Sequence, residues 1–185
     1  AWLTKGPPGE KVVIITRAPT RAQWAREAQK YTTMRPQVLT GLTPYEPEPD
    51  TRVVVLSWAT IQGWAEYLLQ WARGSKLAVV WDELHKGKAW RRKERLVVGN
   101  HITYVWLNNR AAACAKLARG AHRRLGLTAT PMRDRRSDLW AQLDLVQPDA
   151  WGNNYQFVYR YCDAKPGTYG GLDASGVSNC DELRA

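Results

Sequence analysis

The sequence is poor in the residues that build disulfide scaffolds and metal centres. Its 185 residues include three cysteines and three histidines, and no two cysteines form a C-x-x-C pair. A sparse, odd set of cysteines makes no disulfide framework, and the histidines show no zinc-ligand spacing relative to them. We therefore expect free thiols and a reducing, cytoplasmic location.

Long apolar runs and acidic residues are also scarce. No run approaches the roughly 18 apolar residues of a membrane span, so we expect no membrane partner. Lys and Arg number 27 against 17 Asp and Glu, which gives a formal net charge of +10 and a pI near 9.8. This excess of positive charge favours a polyanionic partner, and nucleic acid before a membrane surface.

Short apolar segments alternate with amphipathic ones along most of the chain. The apolar segments are rich in β-branched residues, whereas apolar residues recur at helical spacing in the others. Continuously apolar strands separated by helices are typical of a parallel sheet that is covered on both faces. We therefore predict an α/β fold with helices on both faces of the sheet. Its strands are predicted near 11–16, 53–57, 77–81 and 124–128, and its helices near 20–31, 60–74, 109–121 and 137–146.

Segment 95–106 interrupts this alternation. It contains two β-rich runs joined by Gly99 and Asn100, a two-residue turn signal. We predict an inserted β-hairpin between the third strand and the next helix. Its Tyr104 or Trp106 could stack on nucleic-acid bases or wedge a junction, and an equally good interpretation is that these aromatic rings cover the core.

Polar side chains follow the third predicted strand at the point where it ends. Asp82 and Glu83 come directly after the apolar run, and His85 lies two residues further on. Ligands bind outside the carboxyl ends of parallel strands. There, one carboxylate can hold a metal ion through water while its neighbour polarises an attacking water. Adjacent acids also form ordinary solvated turns, so the pair alone does not decide between these interpretations.

Longer motifs around this point resemble a known family. "WDELHK" and "GLTATPMRDRRSDLWAQLDLVQP" resemble motifs II and III of superfamily-two helicase-like ATPases, in particular the Swi/Snf branch. "KVVIITRAPTRAQWAREAQKY" is similar to motif Ia, with Trp24 and Glu27 in its Trp-x-x-Glu form, and "VVVLSWATI" stands in the place of motif Ib. "RYCDAKPGTYGGLDASGVSNCDEL" resembles the region after motif III in the annealing-helicase subgroup. The motifs cover most of the chain in the family's order.

The resemblance implies an architecture and a set of partners. Residues 1–150 would form part of the first RecA-like ATP-binding lobe. Residues 151–185 would be an irregular extension leading toward a second RecA-like lobe of the same parent chain. Such lobes sandwich ATP with Mg²⁺ and act on double-stranded or branched DNA, so the implied function is that of a DNA-dependent ATPase or translocase.

The resemblance also implies roles for individual residues. Asp82 would coordinate Mg²⁺ through water, and Glu83 beside it at the ATP site would activate the hydrolytic water. His85 would link the nucleotide site to motif III, where Thr128, Ala129 and Thr130 would couple the ATP state to the grip on DNA. The residues expected to lie near DNA are Arg17, Pro19, Ser57, Lys86 and Arg133.

The sequence departs from the family pattern at several places. No G-x-x-x-x-G-K-[ST] phosphate loop is found. "GPPGEK" (6–11) has two residues between its glycines and precedes a strand rather than a helix, so we predict a turn there. The chain therefore resembles a lobe truncated after the phosphate loop, and we expect it to hydrolyse no ATP alone. Leu84 stands where Ala is usual in a DEAH box and is expected to pack inward, and Ala89 stands where Asn is usual.

Two other functions remain open at this level. The first is a non-catalytic DNA-binding or scaffolding module. The second is a lobe of an RNA helicase, against which the Trp24 and Glu27 pattern and the Arg-Tyr-Cys stretch argue.

Overall fold

A parallel sheet of five strands forms the centre of the molecule. The computed structural model describes residues 2–88, 93–98, 101–106, 109–132, 136–167 and 171–184. Its strands are β1 (Lys11–Thr16), β2 (Arg35–Val38), β3 (Thr51–Ser57), β4 (Leu77–Asp82), β5 (Lys93–Val98), β6 (His101–Trp106), β7 (Arg123–Leu127), β8 (Lys165–Pro166) and β9 (Leu172–Asp173). Its α-helices are α1 (Arg21–Tyr31), α2 (Ile61–Trp71), α3 (Asn109–Gly120), α4 (Ser137–Val146), α5 (Asn154–Tyr161) and α6 (Cys180–Arg184).

The order of the strands across the sheet is β2-β3-β1-β4-β7, and all four neighbouring pairs are parallel. The register sets Thr16 beside Ser57 and Asp82 beside Leu127. The carboxyl ends of these strands therefore meet at one edge, and the four predicted strands are confirmed. We call this edge the site edge and the opposite one the amino edge.

Alternate residues of the strands face two separate apolar layers. Val12 and Ile14 pack on one face with Ala28 of α1, whereas Val13 and Ile15 pack on the other face with α2, α3 and α4. All four β1 side chains are fully buried, as expected for a strand covered on both sides. The predicted α/β fold with helices on both faces is confirmed.

The sequence analysis missed the fifth strand, β2. This strand is four residues long, contains Pro36 and lies at the edge of the sheet, where it pairs with β3. A proline cannot donate to a ladder and is tolerated in an edge strand. Its mixed polar composition and partial exposure removed the apolar signal that identified the other strands.

The inserted hairpin is confirmed in its backbone. β5 and β6 pair antiparallel, with Arg95 opposite Tyr104 and Val98 opposite His101. The predicted turn residues Gly99 and Asn100 lie outside the described residues. The hairpin begins at Lys93, two positions before the predicted start at 95.

The segment after residue 150 is more regular than predicted. Helix α5 begins with a capping box, in which the Asn153 side chain accepts from the Gln156 amide and the Gln156 side chain accepts from the Asn153 amide. Phe157 and Tyr161 of this helix are buried in the main core. An irregular extension is therefore wrong for 154–161, where helical packing on the lobe outweighs the polar composition. The division of the chain at residue 150 stays a prediction.

The amino edge is closed by a buried ion pair. Glu10, which is fully buried, accepts two hydrogen bonds from Arg123, one from Nε and one from an Nη, both at 3.0 Å. The guanidinium also lies 4.1 Å from the ring centroid of Trp2 and donates to its carbonyl oxygen. This contact holds the first residues of the chain against the start of β7.

In the described part of the chain, no helix is long and apolar enough to cross a membrane. The three cysteines are free, and burial raises the pKa of the Cys114 thiol to about 12.

Candidate nucleotide and DNA site

Asp82 lies at the site edge. It is the last residue of β4, and its carboxylate Oδ2 accepts a hydrogen bond from Thr16 Oγ1 at 2.5 Å and another from Trp24 Nε1 at 2.9 Å. The indole of Trp58 donates to the Asp82 carbonyl oxygen at 2.8 Å. Three elements, β1, α1 and the end of β3, thus converge on this single residue.

Glu83 turns the chain sharply out of the sheet. Its φ of 56° lies in the left-handed region, which a non-glycine residue occupies at a cost of about 1 to 3 kcal/mol. The turn is closed by a hydrogen bond from the Lys86 amide to the Glu83 carbonyl oxygen at 2.8 Å. The Glu83 carboxylate, which is about a third exposed (32%), therefore projects at the edge instead of continuing the alternation of β4.

His85 connects the acidic pair to the motif III segment. Its Nδ1 lies 3.3 Å from Glu83 Oε2 and 3.2 Å from Thr128 Oγ1. A protonated Nδ1 donates to either oxygen, whereas an unprotonated Nδ1 can only accept from the threonine hydroxyl. The proton on this nitrogen therefore decides whether the imidazole binds the carboxylate or receives the hydroxyl.

Thr128, Ala129 and Thr130 follow β7 at the same edge. The Thr130 amide donates to Thr128 Oγ1 at 3.3 Å, and Ala129 and Thr130 are exposed. Thr128 thus contacts His85. The role of Thr128, Ala129 and Thr130 in coupling the ATP state to DNA stays a prediction.

Two glycines allow helix α4 to pack closely against β7 and the turn that follows β4. A Cβ at Gly87 would lie 2.6 Å from Leu145 Cδ1, and one at Gly126 would lie 2.5 Å from Leu84 Cδ2 and 2.9 Å from Val146 Cγ2. Leu84 is buried, as predicted, and fills the space beside Gly126. Tight packing therefore supports the turn that carries Glu83 and His85.

Gln142 is a buried residue of the site that the sequence analysis did not identify. It is 1% exposed, and its Nε2 donates to the Pro131 carbonyl oxygen at 2.5 Å. This bond fixes the chain just after Thr130. A single glutamine in an amphipathic helix gives no sequence signal for such a position.

The residues predicted to lie near DNA differ in accessibility. Arg17, Pro19 and Lys86 are exposed at the site edge. Ser57 is buried, and its hydroxyl lies 3.1 Å from that of Thr60, a position that favours a structural role for its side chain. Arg133 lies outside the described residues, as does Ala89.

"GPPGEK" forms a turn, as predicted. The Glu10 amide donates to the Pro7 carbonyl oxygen at 3.1 Å, and Gly9 has a φ of 78°, which the third position of a type II turn requires. Because this turn precedes β1 at the amino edge, it is separated from Asp82 by the length of a strand, roughly 15 to 20 Å. It cannot cradle phosphates beside Asp82.

The residues present fit a magnesium ion that is held mainly by water and phosphate. No cluster of three or more acidic, histidine or cysteine ligands occurs in the described segments. Mg²⁺ commonly keeps several waters and takes one or two carboxylates together with substrate phosphates. Asp82 supplies such a carboxylate, and among the described residues no hydrogen bond to its Oδ1 is recorded.

Comparison with known proteins agrees with the motifs. No family model matches the chain. It is 28% identical over 181 residues to the SWI/SNF-related matrix-associated actin-dependent regulator of chromatin subfamily A-like protein 1 of Drosophila melanogaster, a match that covers 94% of this chain and 20% of that protein. It is 26% identical over 184 residues to the DNA annealing helicase and endonuclease ZRANB3 of Mus musculus, covering 93% of this chain and 15% of that protein. The chain thus spans about a fifth or less of these relatives' length.

The fold has similar solved structures. The SWI2/SNF2 ATPase core of Sulfolobus solfataricus in complex with dsDNA matches with a TM-score of 0.55 and 16% identity, over 82% of this chain and 28% of that one. The core without DNA matches with the same TM-score and 18% identity. The resemblance to a Swi/Snf helicase-like lobe is confirmed. At these identities the structural matches establish the RecA-like fold, and activity has to be argued from the site.

Proposed function

We propose that the chain is part of the first RecA-like lobe of a DNA-dependent ATPase, which couples ATP hydrolysis to movement on, or remodelling of, double-stranded or branched DNA. The observation that carries this proposal is the contact series Asp82, Glu83, His85 and Thr128 at one edge of a parallel sheet. The names of the similar proteins, a DNA annealing helicase and a SWI2/SNF2 ATPase core bound to dsDNA, support it.

Each residue has a chemical task in this proposal. Asp82 would hold a hydrated Mg²⁺, which would offset the negative charge of the ATP phosphates when bound. Glu83 takes up a proton from the attacking water, and its projection from the sheet leaves the carboxylate accessible. His85 orients that carboxylate and, through its contact with Thr128, links the nucleotide site to motif III.

The chain alone is proposed to hydrolyse no ATP. Its sequence contains no G-x-x-x-x-G-K-[ST] loop, and "GPPGEK" lies at the amino edge. Hydrolysis by this mechanism also needs amide groups and a lysine around the phosphates, and positive charge from a facing lobe. An arginine finger by itself can contribute about 10³ to 10⁵ in rate.

DNA binding is proposed for the exposed positive residues of the site edge. Arg17 and Lys86 are exposed there, and the net charge of +10 supplies a long-range attraction to phosphate. Binding should weaken steeply with salt and show little sequence preference, because counterion release dominates phosphate contacts. A location where DNA is present, in the nucleoid or the nucleus, follows from this proposal.

The decisive experiment compares the full-length protein with its Glu83→Gln variant. The amide keeps the shape of the side chain but cannot accept the proton, so we expect DNA-stimulated phosphate release to fall by about 10² to 10⁴. ATP binding should persist. Hydrolysis that stays within about tenfold of the unmodified protein would exclude Glu83 as the base. An unmodified full-length protein without DNA-stimulated hydrolysis would favour a non-catalytic DNA-binding module. Stimulation by RNA instead of duplex DNA would favour the RNA helicase alternative.

A further inference from the structure

The Asp82 carboxylate is held by one of its two oxygens. Oδ2 accepts from both Thr16 Oγ1 and Trp24 Nε1, at 2.5 and 2.9 Å. No residue within the described ranges donates a hydrogen bond to Oδ1. Two hydrogen bonds onto the same oxygen of a charged carboxylate are strong and fix its rotation, so the direction in which Oδ1 points is set by Thr16 and Trp24.

The two donors come from rigid parts of the lobe. Thr16 is fully buried at the end of the central strand β1, and its hydroxyl lies 2.7 Å from that of Thr20. Because a hydroxyl carries one proton, a Thr16 that donates to Asp82 can only accept from Thr20, whose hydroxyl also lies 3.0 Å from the Arg17 carbonyl oxygen. Trp24 stands on the first turns of α1, in the half-buried position between sheet and solvent.

The two donors differ in how much they need this acceptor. Thr16 is fully buried, so its hydroxyl proton needs a partner inside the protein, and Asp82 Oδ2 lies 2.5 Å away. Trp24 is partly exposed and comes from a separate element. Both groups converge on one carboxylate oxygen, to which neither is adjacent in sequence.

We propose that Thr16 and Trp24 are positioning residues that present Oδ1 of Asp82 to a hydrated divalent cation, an inference that rests on the proposed function. Neither residue touches nucleotide in this proposal. Partners that orient a metal-holding group typically contribute about 10- to 100-fold to metal affinity or activity. Since Asp82 would act through water, we expect an effect near the lower end of that range.

The test uses the full-length protein and the variants Thr16→Val, Thr16→Ser and Trp24→Phe. Valine has the shape of threonine and phenylalanine keeps an aromatic ring, but both remove the donor, whereas serine keeps the hydroxyl. We expect the Mg²⁺ concentration for half-maximal ATP hydrolysis to rise about tenfold in Thr16→Val and Trp24→Phe, with kcat at saturating Mg²⁺ little changed and with Thr16→Ser close to the unmodified protein. Binding of Mn²⁺ in the presence of ATP, followed by electron paramagnetic resonance, should weaken in parallel.

Two matched controls separate positioning from stability. Thr51→Val removes the hydroxyl of another buried threonine, which donates to Gln37 Oε1 at 3.2 Å. Trp151→Phe removes another half-buried indole donor, which binds Gln147 Oε1 at 3.1 Å. Neither should change the Mg²⁺ requirement or Mn²⁺ binding.

The outcomes distinguish this inference from the proposed function. If Glu83→Gln abolishes hydrolysis while the Trp24→Phe and Thr16→Val proteins keep an unshifted Mg²⁺ requirement and Mn²⁺ affinity, the positioning role is wrong and the ATPase proposal stands. If the unmodified protein shows no DNA-stimulated hydrolysis, the ATPase proposal fails and the positioning role fails with it. Should Thr16→Val not fold, the Trp24→Phe protein and its Mn²⁺ affinity alone decide.

Discussion

The two edges of the sheet differ in how their charged side chains are paired. At the amino edge, every carboxylate oxygen of Glu10 is occupied by Arg123, and Trp2 covers the guanidinium. At the site edge, Asp82 has an oxygen with no recorded partner among the described residues, and Glu83 adopts a left-handed backbone. At the amino edge, the paired charges close the lobe. At the site edge, the charged groups stay accessible, and the backbone of Glu83 is strained.

This difference separates stability from function along the same strands. β1 begins next to Glu10 of the buried ion pair and ends at Thr16, which contacts Asp82 at the site edge. One strand therefore contributes to both edges. A change at the amino edge should therefore alter the free energy of unfolding with little effect on the site geometry. A change at the site edge should alter the site geometry with little effect on the free energy of unfolding.

The largest effect on stability is expected from Arg123→Met. Removal of the guanidinium leaves the fully buried Glu10 carboxylate without its partner, and loss of one member of a buried pair typically costs about 3 to 5 kcal/mol. Urea unfolding followed by circular dichroism measures it. A loss below about 1 kcal/mol, the size of an exposed pair, would mean that the amino edge is not closed by this contact.

A smaller loss is expected from Gly63→Ala at the start of α2. Alanine normally stabilises a helix relative to glycine by about 1 kcal/mol, but a Cβ here would overlap the Leu42 carbonyl oxygen. The neighbouring Trp64 also donates to the Gly41 carbonyl oxygen at 2.9 Å, so the loop cannot easily move away. We expect destabilisation of about 1 to 3 kcal/mol, as for other overpacked sites.

Gly120→Ala provides the control for this second prediction. A Cβ there would meet only the flexible end of the Leu69 side chain, which can rotate more easily than a carbonyl can move. Urea midpoints of the two variants would be compared, and equal or increased stability of Gly63→Ala would show that the loop yields.

Glu83→Asn should separate the two properties at the site edge. Asparagine tolerates the left-handed region better than glutamate, so we expect the free energy of unfolding to rise by up to about 1 kcal/mol. At the same time DNA-stimulated ATP hydrolysis should be lost. A variant that loses both stability and hydrolysis would show that the turn at Glu83 is not strained in the folded protein.

The smallest effect is expected from Arg35→Met. Arg35 pairs with Glu48, but both side chains are 56% exposed, and such surface pairs contribute about 0 to 1 kcal/mol. The urea midpoint should barely change. A loss comparable with that of Arg123→Met would remove the distinction between the buried and exposed pairs.

Sequence patterns predicted the fold well wherever burial was two-sided. β1, β3 and β4 stood out as apolar runs, and the Gly99-Asn100 signal marked the hairpin. β2 and α5 were missed because their stability comes from tertiary contacts: β2 pairs at an edge, and α5 places Phe157 and Tyr161 on a core formed by distant segments. For α5 a local signal does exist, because Asn153 and Gln156 form a capping box and Phe157 and Tyr161 lie four positions apart, but the sequence analysis did not use it.

For the site, motif spacing identified Asp82, Glu83, His85 and Thr128 but not the residues that hold them. Thr16 and Trp24 lie 66 and 58 positions from Asp82, and such pairings depend on strand register and on the angle at which α1 crosses the sheet. The contacts of Trp58 and Gln142 were missed for the same reason. The ten tryptophans, an unusual number by composition, now have a partial explanation, because several indoles donate to backbone or side-chain oxygens within the lobe.

The contact between Glu10 and Arg123 also has a kinetic consequence. It joins residues 113 positions apart, and such distant contacts are entropically expensive to form early in folding. We expect it to form after the transition state has been crossed. Its loss should then leave the rate of folding nearly unchanged and accelerate unfolding, so that the amino edge governs how long the native lobe persists once formed.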